Sequence, residues 1–119
     1  MASMSAVVFF TSDLMFSSQV LGAASTLGLK VQLVASPDVA GKLSSECRLA
    51  LIDLTLPGLS VEDAVATIRR TAPEARIVAF GPHVDEPALA AAQAAGADVV
   101  LSRGQFHKQY AELLQGAIT

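Results

Sequence analysis

Hydrophobic positions along this chain follow two alternating patterns. Runs of consecutive apolar residues are short and bounded by polar or turn residues, as in buried strands. Between the runs, apolar residues recur three or four positions apart, as in amphipathic helices. The pattern predicts five strands, at 6–11, 30–35, 49–53, 76–80 and 98–101, each followed by a helix.

Residues at the ends of the predicted helices support this division. Ser36, Ser60 and Asp85 are suited to N-caps, because their side chains accept hydrogen bonds from the free amides of a first turn. Gly28 and Gly96 are suited to helix ends. The predicted helices span 13–27, 37–46, 61–70, 86–95 and 106–116.

Alternating strands and helices predict an α/β fold. Crossovers that contain a helix join parallel strands, and the helices cover both faces of the sheet. We therefore expect a three-layer sandwich around a five-stranded parallel sheet, formed as a single domain by residues 4–119. Met1-Ala2-Ser3 resembles a remnant of expression cloning, with the native start at Met4.

Composition narrows the class of protein. Apolar residues make up 52% of the 119 residues, which excludes a disordered chain, yet no apolar run approaches the roughly 20 residues of a membrane span. We expect no secretory leader, because no charged and apolar leader pattern opens the sequence, and the single Cys47 cannot form an internal disulfide. A cytoplasmic location is therefore expected. The net charge is -3 and the basic residues are dispersed along the sequence, so we expect no nucleic-acid partner.

One acidic residue ends the third predicted strand. Asp53 lies within LALIDLTLPGL, between an apolar run and a turn through Pro57 and Gly58. Ligands of open parallel sheets bind outside the carboxyl ends of the strands. The other candidates at that edge follow the first, fourth and fifth strands: Thr11, Ser12, Asp13, Gly81, Ser102, Arg103 and Gly104.

Three features together resemble the receiver domain of two-component response regulators. They are the βα alternation, Asp53 followed by Leu-Thr-Leu-Pro-Gly, and GADVVLSRG at 96–104. The resemblance spans nearly the whole chain. It implies a flavodoxin-like (βα)5 fold with strand order 2-1-3-4-5, and it places Asp53 where the family has the aspartate that receives a phosphoryl group from a histidine kinase.

The resemblance also implies an altered metal site. The family holds Mg²⁺ with two acidic residues after the first strand, and here those positions are Thr11 and Ser12. Neutral hydroxyls bind a hard cation weakly, so we expect no cofactor. Asp13 and Asp53 are the weaker candidates for a metal site. A structural alternative is that Ser12 and Asp13 form the N-cap region of the first helix.

The positions that, in the family, bind the phosphoryl group and transmit the effect of phosphorylation are altered too. Gly81 replaces a hydroxyl residue, Val100 replaces an aromatic residue and Arg103 replaces a lysine. Because a guanidinium binds a carboxylate in a two-pronged fashion, we expect Arg103 to pair with Asp53.

These differences favour an atypical receiver, or pseudo-receiver, in two-component signalling. We expect a non-enzymatic interaction module that binds a kinase or an effector independently of phosphorylation. The alternative is a working phosphoacceptor, modified at Asp53 through a relaxed Mg²⁺ site. Asp53 could also be a purely structural acid. A hydrolase that uses Ser12, His83 and Asp53 has only its residue types in its favour.

The alanine-rich stretch 88–97 has two interpretations. It is a strong helix former that can pack closely on the sheet. The family resemblance also implies that the fourth helix, fifth strand and fifth helix form a homodimer or effector face. His83 and His107 have no second metal ligand nearby in sequence, so both are expected at the surface.

Overall fold

Five parallel strands form one sheet, and helices cover its two faces. The computed structural model of the chain describes residues 6–38 and 43–118. The sheet order is β2-β1-β3-β4-β5, which confirms the predicted fold. The strands are β1 (Val7–Phe10), β2 (Val31–Val34), β3 (Leu49–Asp53), β4 (Arg76–Gly81) and β5 (Val99–Ser102). The helices of the described residues are α1 (Leu14–Thr26), α2 (Val61–Thr71), α3 (Glu86–Ala95) and α4 (Arg103–Gly116).

The described residues contain four helices, whereas the sequence predicted five. The missing one is the helix predicted at 37–46, of which 39–42 lie outside the described residues. Its described flanks contain only bends and a turn. Ser36 and Ser44 each accept a hydrogen bond from the amide two residues later, at 3.1 and 3.0 Å. These local bonds compete with helical ones.

The last helix begins three residues earlier than predicted. Ser102 Oγ accepts a hydrogen bond from the Gln105 amide, and the Gln105 side chain accepts one from the Ser102 amide. This capping box satisfies two amides that a helix start leaves free. α4 therefore begins at Arg103 rather than at Phe106.

The sheet separates two hydrophobic cores. Every residue of β1 and β3 is buried, because side chains that alternate along a central strand are covered on both faces. Val8, Ile52 and Ile77 face the core beneath α2 and α3. Leu51 and Val78 belong to the other core, beneath α1 and α4. No helix in the described ranges has the length and hydrophobicity to cross a bilayer.

An aromatic cluster fixes α1 and α4 to the sheet. The rings of Phe80 and Phe106 stack with centroids 3.9 Å apart, and the Phe16 ring meets both edge-on at 5.5 Å. Phe9 lies 5.9 Å from each stacked ring, and Tyr110 lies 6.1 Å from Phe106. Such pairs add to the free energy gained by burying the rings. The cluster lies next to Asp53, because Phe80 pairs with Asp53 in the sheet.

Candidate functional site

Asp53 is a buried carboxylate at the carboxyl edge of the sheet. It is the last residue of β3, and only 1% of its surface is exposed. β3 lies between β1 and β4, so the segments that follow those strands adjoin it. A buried charge needs hydrogen-bond partners, because the protein interior replaces its hydration poorly.

Two threonine hydroxyls supply those partners. Thr11 Oγ1 donates to Asp53 Oδ2 at 2.6 Å. Thr55 Oγ1 donates to Asp53 Oδ1 at 2.6 Å, and the Thr55 amide donates to the same oxygen at 3.0 Å. Bonds of this length to a carboxylate are charge-assisted and strong. The Asp53 carboxylate therefore accepts three hydrogen bonds from the described residues.

The role of Thr55 was missed in the sequence, although a signal for it was present. Asp and Asn side chains often accept a hydrogen bond from the amide two residues later, which forms a local turn. Asp53 and Thr55 have that spacing, and the threonine adds its hydroxyl to the same oxygen. Thr55 itself is exposed, so its side chain lies between Asp53 and solvent.

Asp13 caps the first helix, as the structural alternative predicted. Its Oδ1 accepts from the amides of Met15 and Phe16, at 2.9 and 3.0 Å. Its Oδ2 accepts from Arg103 Nη2 at 2.7 Å. The prediction that Arg103 pairs with Asp53 was therefore wrong. Arg103 begins α4 beside the start of α1, where its guanidinium also lies 5.0 Å from the centre of the Phe16 ring.

These contacts favour the charged form of Asp13. The hydrogen bond from the Phe16 amide lowers its pKa below 3.8, burial opposes the shift, and Arg103 and the Met15 amide lower the pKa further. Asp13 is therefore an anion at neutral pH. Its charge is matched by the guanidinium of Arg103 rather than available to an incoming cation.

The side chains present do not fit a magnesium site of the family type. Thr11 is 3% exposed, and its hydroxyl both donates to Asp53 and accepts from the Asp13 amide at 3.0 Å. Ser12 is exposed, and Asp13 is held by Arg103. In residues 6–38 and 43–118, no three His, Cys, Asp or Glu side chains are grouped to hold a metal ion. Mg²⁺ prefers several oxygen ligands that include carboxylates, and here only Asp53 is in place.

Gly81 ends β4, and Val100 lies within β5. Gly81 is buried at the end of β4, where a Cβ atom would lie 3.3 Å from Leu54 Cβ. Any side chain at position 81, including a hydroxyl residue, must therefore displace Leu54. Val100 is half-buried in β5 and packs against the core under α2 and α3.

The three residues of the conceivable hydrolase are not joined. Ser12 and His83 are exposed, whereas Asp53 is buried and bonded to Thr11 and Thr55. In the part of the chain that the structure describes, no hydrogen bond connects Ser12, His83 and Asp53. The arrangement gives no support to nucleophilic catalysis by Ser12.

Comparison with known proteins gives a structural match. No protein-family model matches the chain, and no curated protein matches it. Among solved structures, a CheY-like receiver domain from Methanospirillum hungatei JF-1 matches with TM-score 0.71 and 14% identity, over 98% of both chains.

Two further receiver domains match as well. The domain of NtrX from Brucella abortus has TM-score 0.71 and 16% identity over 94% of this chain and 97% of that one. The receiver domain of a sensor histidine kinase from Pseudomonas aeruginosa PAO1, solved with a magnesium ion in its active-site cleft, has TM-score 0.68 and 18% identity over 95% and 99%. The chain therefore has the fold of a response-regulator receiver domain.

Proposed function

We propose that this chain is an atypical receiver domain of two-component signalling that binds its partners independently of phosphorylation. The observation that carries the proposal is the closed hydrogen bonding of Asp53, which accepts from Thr11 and Thr55 and is 1% exposed. A phosphoryl donor must approach this carboxylate with its charge neutralised, usually by a divalent cation. The neighbouring side chains do not form a site for that cation.

The Arg103–Asp13 pair supports the same proposal. A positive side chain in this region could stabilise a phosphoryl group on Asp53 only if it were free to reach that group. Arg103 is instead held by Asp13 at 2.7 Å and by the Phe16 ring at 5.0 Å. Arg103 could reach a phosphoryl group on Asp53 only by breaking this ion pair.

The proposed partners are a kinase or an effector protein, and the face formed by α3, β5 and α4 is a suitable surface for an effector or a second copy. A depression of about 310 Å³ lies on this face. The side chains that line this depression are mostly apolar or neutral polar, and Glu86 is the one charged residue among them. A partner could therefore cover the depression while removing water from few charged groups. Its lining residues are Glu86, Leu89, Ala90, Gln93, Val100, Leu101, Ser102 and Gln105.

The alternative function is a working phosphoacceptor. One observation favours it: Asp53 is the last residue of β3 at the carboxyl edge, the place that the family resemblance assigns to the phosphorylated aspartate. Under this alternative, Thr11 and Thr55 would have to release the carboxylate and admit Mg²⁺ with few protein ligands.

Incubation with a small phosphodonor and Mg²⁺ separates the two functions. We expect the intact mass of the wild-type protein to stay unchanged. A stoichiometric mass increase in the wild type that Asp53→Asn abolishes would establish the alternative. A receiver domain with a complete acidic pair, treated in the same way, verifies that the donor is active.

A further inference from the structure

The fold gathers basic residues that are dispersed in the sequence. Five of the eight lysines and arginines lie at the amino edge of the sheet, opposite Asp53. Lys30 precedes β2, Arg48 precedes β3 and Arg76 begins β4. Arg69 and Arg70 are in the last turn of α2. We call these five residues the basic edge.

Most of the basic edge is available to a partner. Arg69 pairs with Asp98 at 3.0 Å and donates to the Gly96 carbonyl oxygen at 2.8 Å. Arg48, Arg70 and Arg76 are exposed and form no salt bridge with a described residue. Arg76 still lies close enough to Asp98 to lower the pKa of that carboxyl, and Glu74 and Asp98 line one depression with Arg69 and Arg76. Three guanidinium groups without a salt bridge to a described residue nevertheless form a surface suited to carboxylates, which they bind through two parallel N–H donors.

The opposite edge carries the opposite charge. Four of its acidic residues lie at the positive ends of two helices, where they are stabilising: Glu62 and Asp63 in the first turn of α2, and Asp85 and Glu86 at the start of α3. Five acidic residues at this edge are exposed and form no salt bridge with a described residue. We call them the acidic edge: Asp38, Glu62, Asp63, Asp85 and Glu86.

The acidic edge also has a concave part. Asp38 and Asp63 line the same depression, of about 220 Å³, together with Ser60 and Thr67. Arg103 at this edge is already paired with Asp13. The two edges are separated by the length of the strands, about 20 Å for a six-residue strand. When the distance over which salt screens charges is shorter than this separation, the basic edge and the acidic edge act as two distinct charged poles.

We propose that the basic edge of one copy binds the acidic edge of a second copy, head to tail. Charge complementarity between the poles provides the attraction and the orientation. A second copy suits the basic edge better than a nucleic acid does, because the acidic edge and the net charge of -3 repel a phosphate backbone. The interface joins two different surfaces, so each added copy leaves both poles free and an open chain grows.

The association is weak and controlled by salt. Exposed ion pairs contribute little each, and both edges remain hydrated before contact. At about 0.1 M salt the screening length is about 10 Å, which is shorter than the separation of the two edges, and at about 1 M it is about 3 Å. Sedimentation velocity should therefore show a mass that rises with protein concentration in low salt and returns to the monomer in high salt. A monomer under both conditions would overturn the proposal.

Neutralising each pole separates specific docking from a general effect of net charge. The basic-edge variant carries Arg48→Gln, Arg70→Gln and Arg76→Gln. The acidic-edge variant carries Glu62→Gln, Asp63→Asn and Glu86→Gln, which brings the net charge from -3 to zero. A general charge effect predicts that this second variant associates more than the wild type. Head-to-tail docking predicts that both variants are monomeric in low salt.

Mixing the basic-edge variant with the acidic-edge variant provides the decisive test. Each retains one intact pole, so an equimolar mixture should form a one-to-one complex that cannot extend further.

Circular dichroism melting of each variant establishes that the fold is retained. Lys108→Gln, at an exposed position in α4 away from both edges, is the control and should associate like the wild type. A mixture that stays monomeric, or an acidic-edge variant that associates more strongly, would refute the proposal. None of these variants alters Asp53, so the result is independent of its phosphorylation.

Discussion

Thr11 and Asp53 are 42 positions apart in the sequence and joined by a 2.6 Å hydrogen bond in the fold. The parallel pairing of β1 and β3 brings their carboxyl ends together. The residue that follows β1 thus completes the hydrogen bonding of the residue that ends β3. A hydroxyl at position 11 stabilises the buried carboxylate without a metal, whereas a second carboxylate there would repel it.

The Thr11–Asp53 bond should contribute measurably to stability. Thr11→Val keeps the side-chain shape but removes the hydroxyl, which leaves Asp53 Oδ2 without its donor and the Asp13 amide without its acceptor. A hydrogen bond to a charged group contributes about 1.5–3 kcal/mol, so the free energy of unfolding should fall by at least that amount in urea titrations.

A matched substitution tests whether the effect is specific to the site. Thr26→Val removes a hydroxyl that donates to the Gly22 carbonyl oxygen at 3.2 Å on the exposed side of α1. Surface substitutions of this kind change stability by about 0.5 kcal/mol or less. Equal losses for Thr11→Val and Thr26→Val would contradict the structural role of the Thr11–Asp53 bond.

Asp13 should make part of the stability depend on pH. Its pKa is lowered in the folded protein, so its contribution is present above pH 3.8 and is lost as pH falls through the lower folded value. Asp13→Asn keeps a good N-cap but removes the charge that faces Arg103. At neutral pH we expect a loss of about 0.5–1 kcal/mol, the range of a partly exposed ion pair.

Urea unfolding at neutral pH and well below pH 3.8 tests this expectation. The difference between wild type and Asp13→Asn should shrink in acid, where the wild-type carboxyl is also neutral. Burial raises the pKa of Asp98, but the Ile77 amide, Arg69 and Arg76 together lower it more. Asp98 therefore contributes acid sensitivity to both proteins, and its effect cancels in the comparison. A difference that does not change with pH would be inconsistent with the Asp13–Arg103 pair.

Replacing both hydroxyl residues by acids should create a magnesium response. Thr11→Asp with Ser12→Asp restores the acidic pair that the family resemblance implies. The new carboxylate at position 11 adjoins Asp53, so the variant should be less stable than the wild type in a chelator because like charges are brought together. Mg²⁺ should raise its melting temperature, since a ligand that binds only the folded state stabilises it.

Two comparisons identify the source of that response. The wild type should show no change in melting temperature on addition of Mg²⁺. The carboxylates that a cation would need are already engaged, Asp53 by the Thr11 hydroxyl and Asp13 by the Arg103 guanidinium. Adding Asp53→Asn to the double variant should remove most of the response. A magnesium-dependent shift in the wild type of the same size as in the variant would show that the native side chains already bind the ion.

Gly81 should tolerate a methyl group less well than a helical glycine does. Gly81→Ala places a Cβ atom 3.3 Å from Leu54 Cβ, whereas a Cβ at Gly104, in the first turn of α4, meets nothing within 4 Å. Gly104→Ala should raise stability by about 0.5–1 kcal/mol, the usual gain in a helix. Gly81→Ala should lack this gain, and thermal unfolding of both variants in parallel tests the difference. Equal gains would mean that Leu54 moves freely.

Local patterns were sufficient to predict most of the scaffold. The third strand, predicted at 49–53, is observed at Leu49–Asp53, and the helix predicted at 61–70 is observed at Val61–Thr71. The strand has a continuous apolar run, the helix has apolar residues at helical spacing, and both have clear signals at their ends. Residues close in sequence are therefore sufficient to determine where each element begins and ends. The helix predicted at 37–46 depended on its cap residues alone, and in its described flanks serine side chains form local turns.

The partners within the site could not be predicted in the same way. The sequence indicated that Asp13, Asp53 and Arg103 meet at one edge, but the partner of Arg103 depends on how α4 packs beside α1. The Phe16 ring, which the guanidinium overlies, is part of that packing. The basic edge was missed for a related reason: its members are adjacent only after parallel strands align their starting residues.

The aromatic cluster gives the molecule a built-in optical probe. The chain has no tryptophan and a single tyrosine, Tyr110, whose ring lies 6.1 Å from Phe106 in the cluster. All tyrosine emission and most of the near-ultraviolet circular dichroism at its wavelength therefore originate from one position on α4. Loosening of that helix from the sheet can be followed spectroscopically without adding a label.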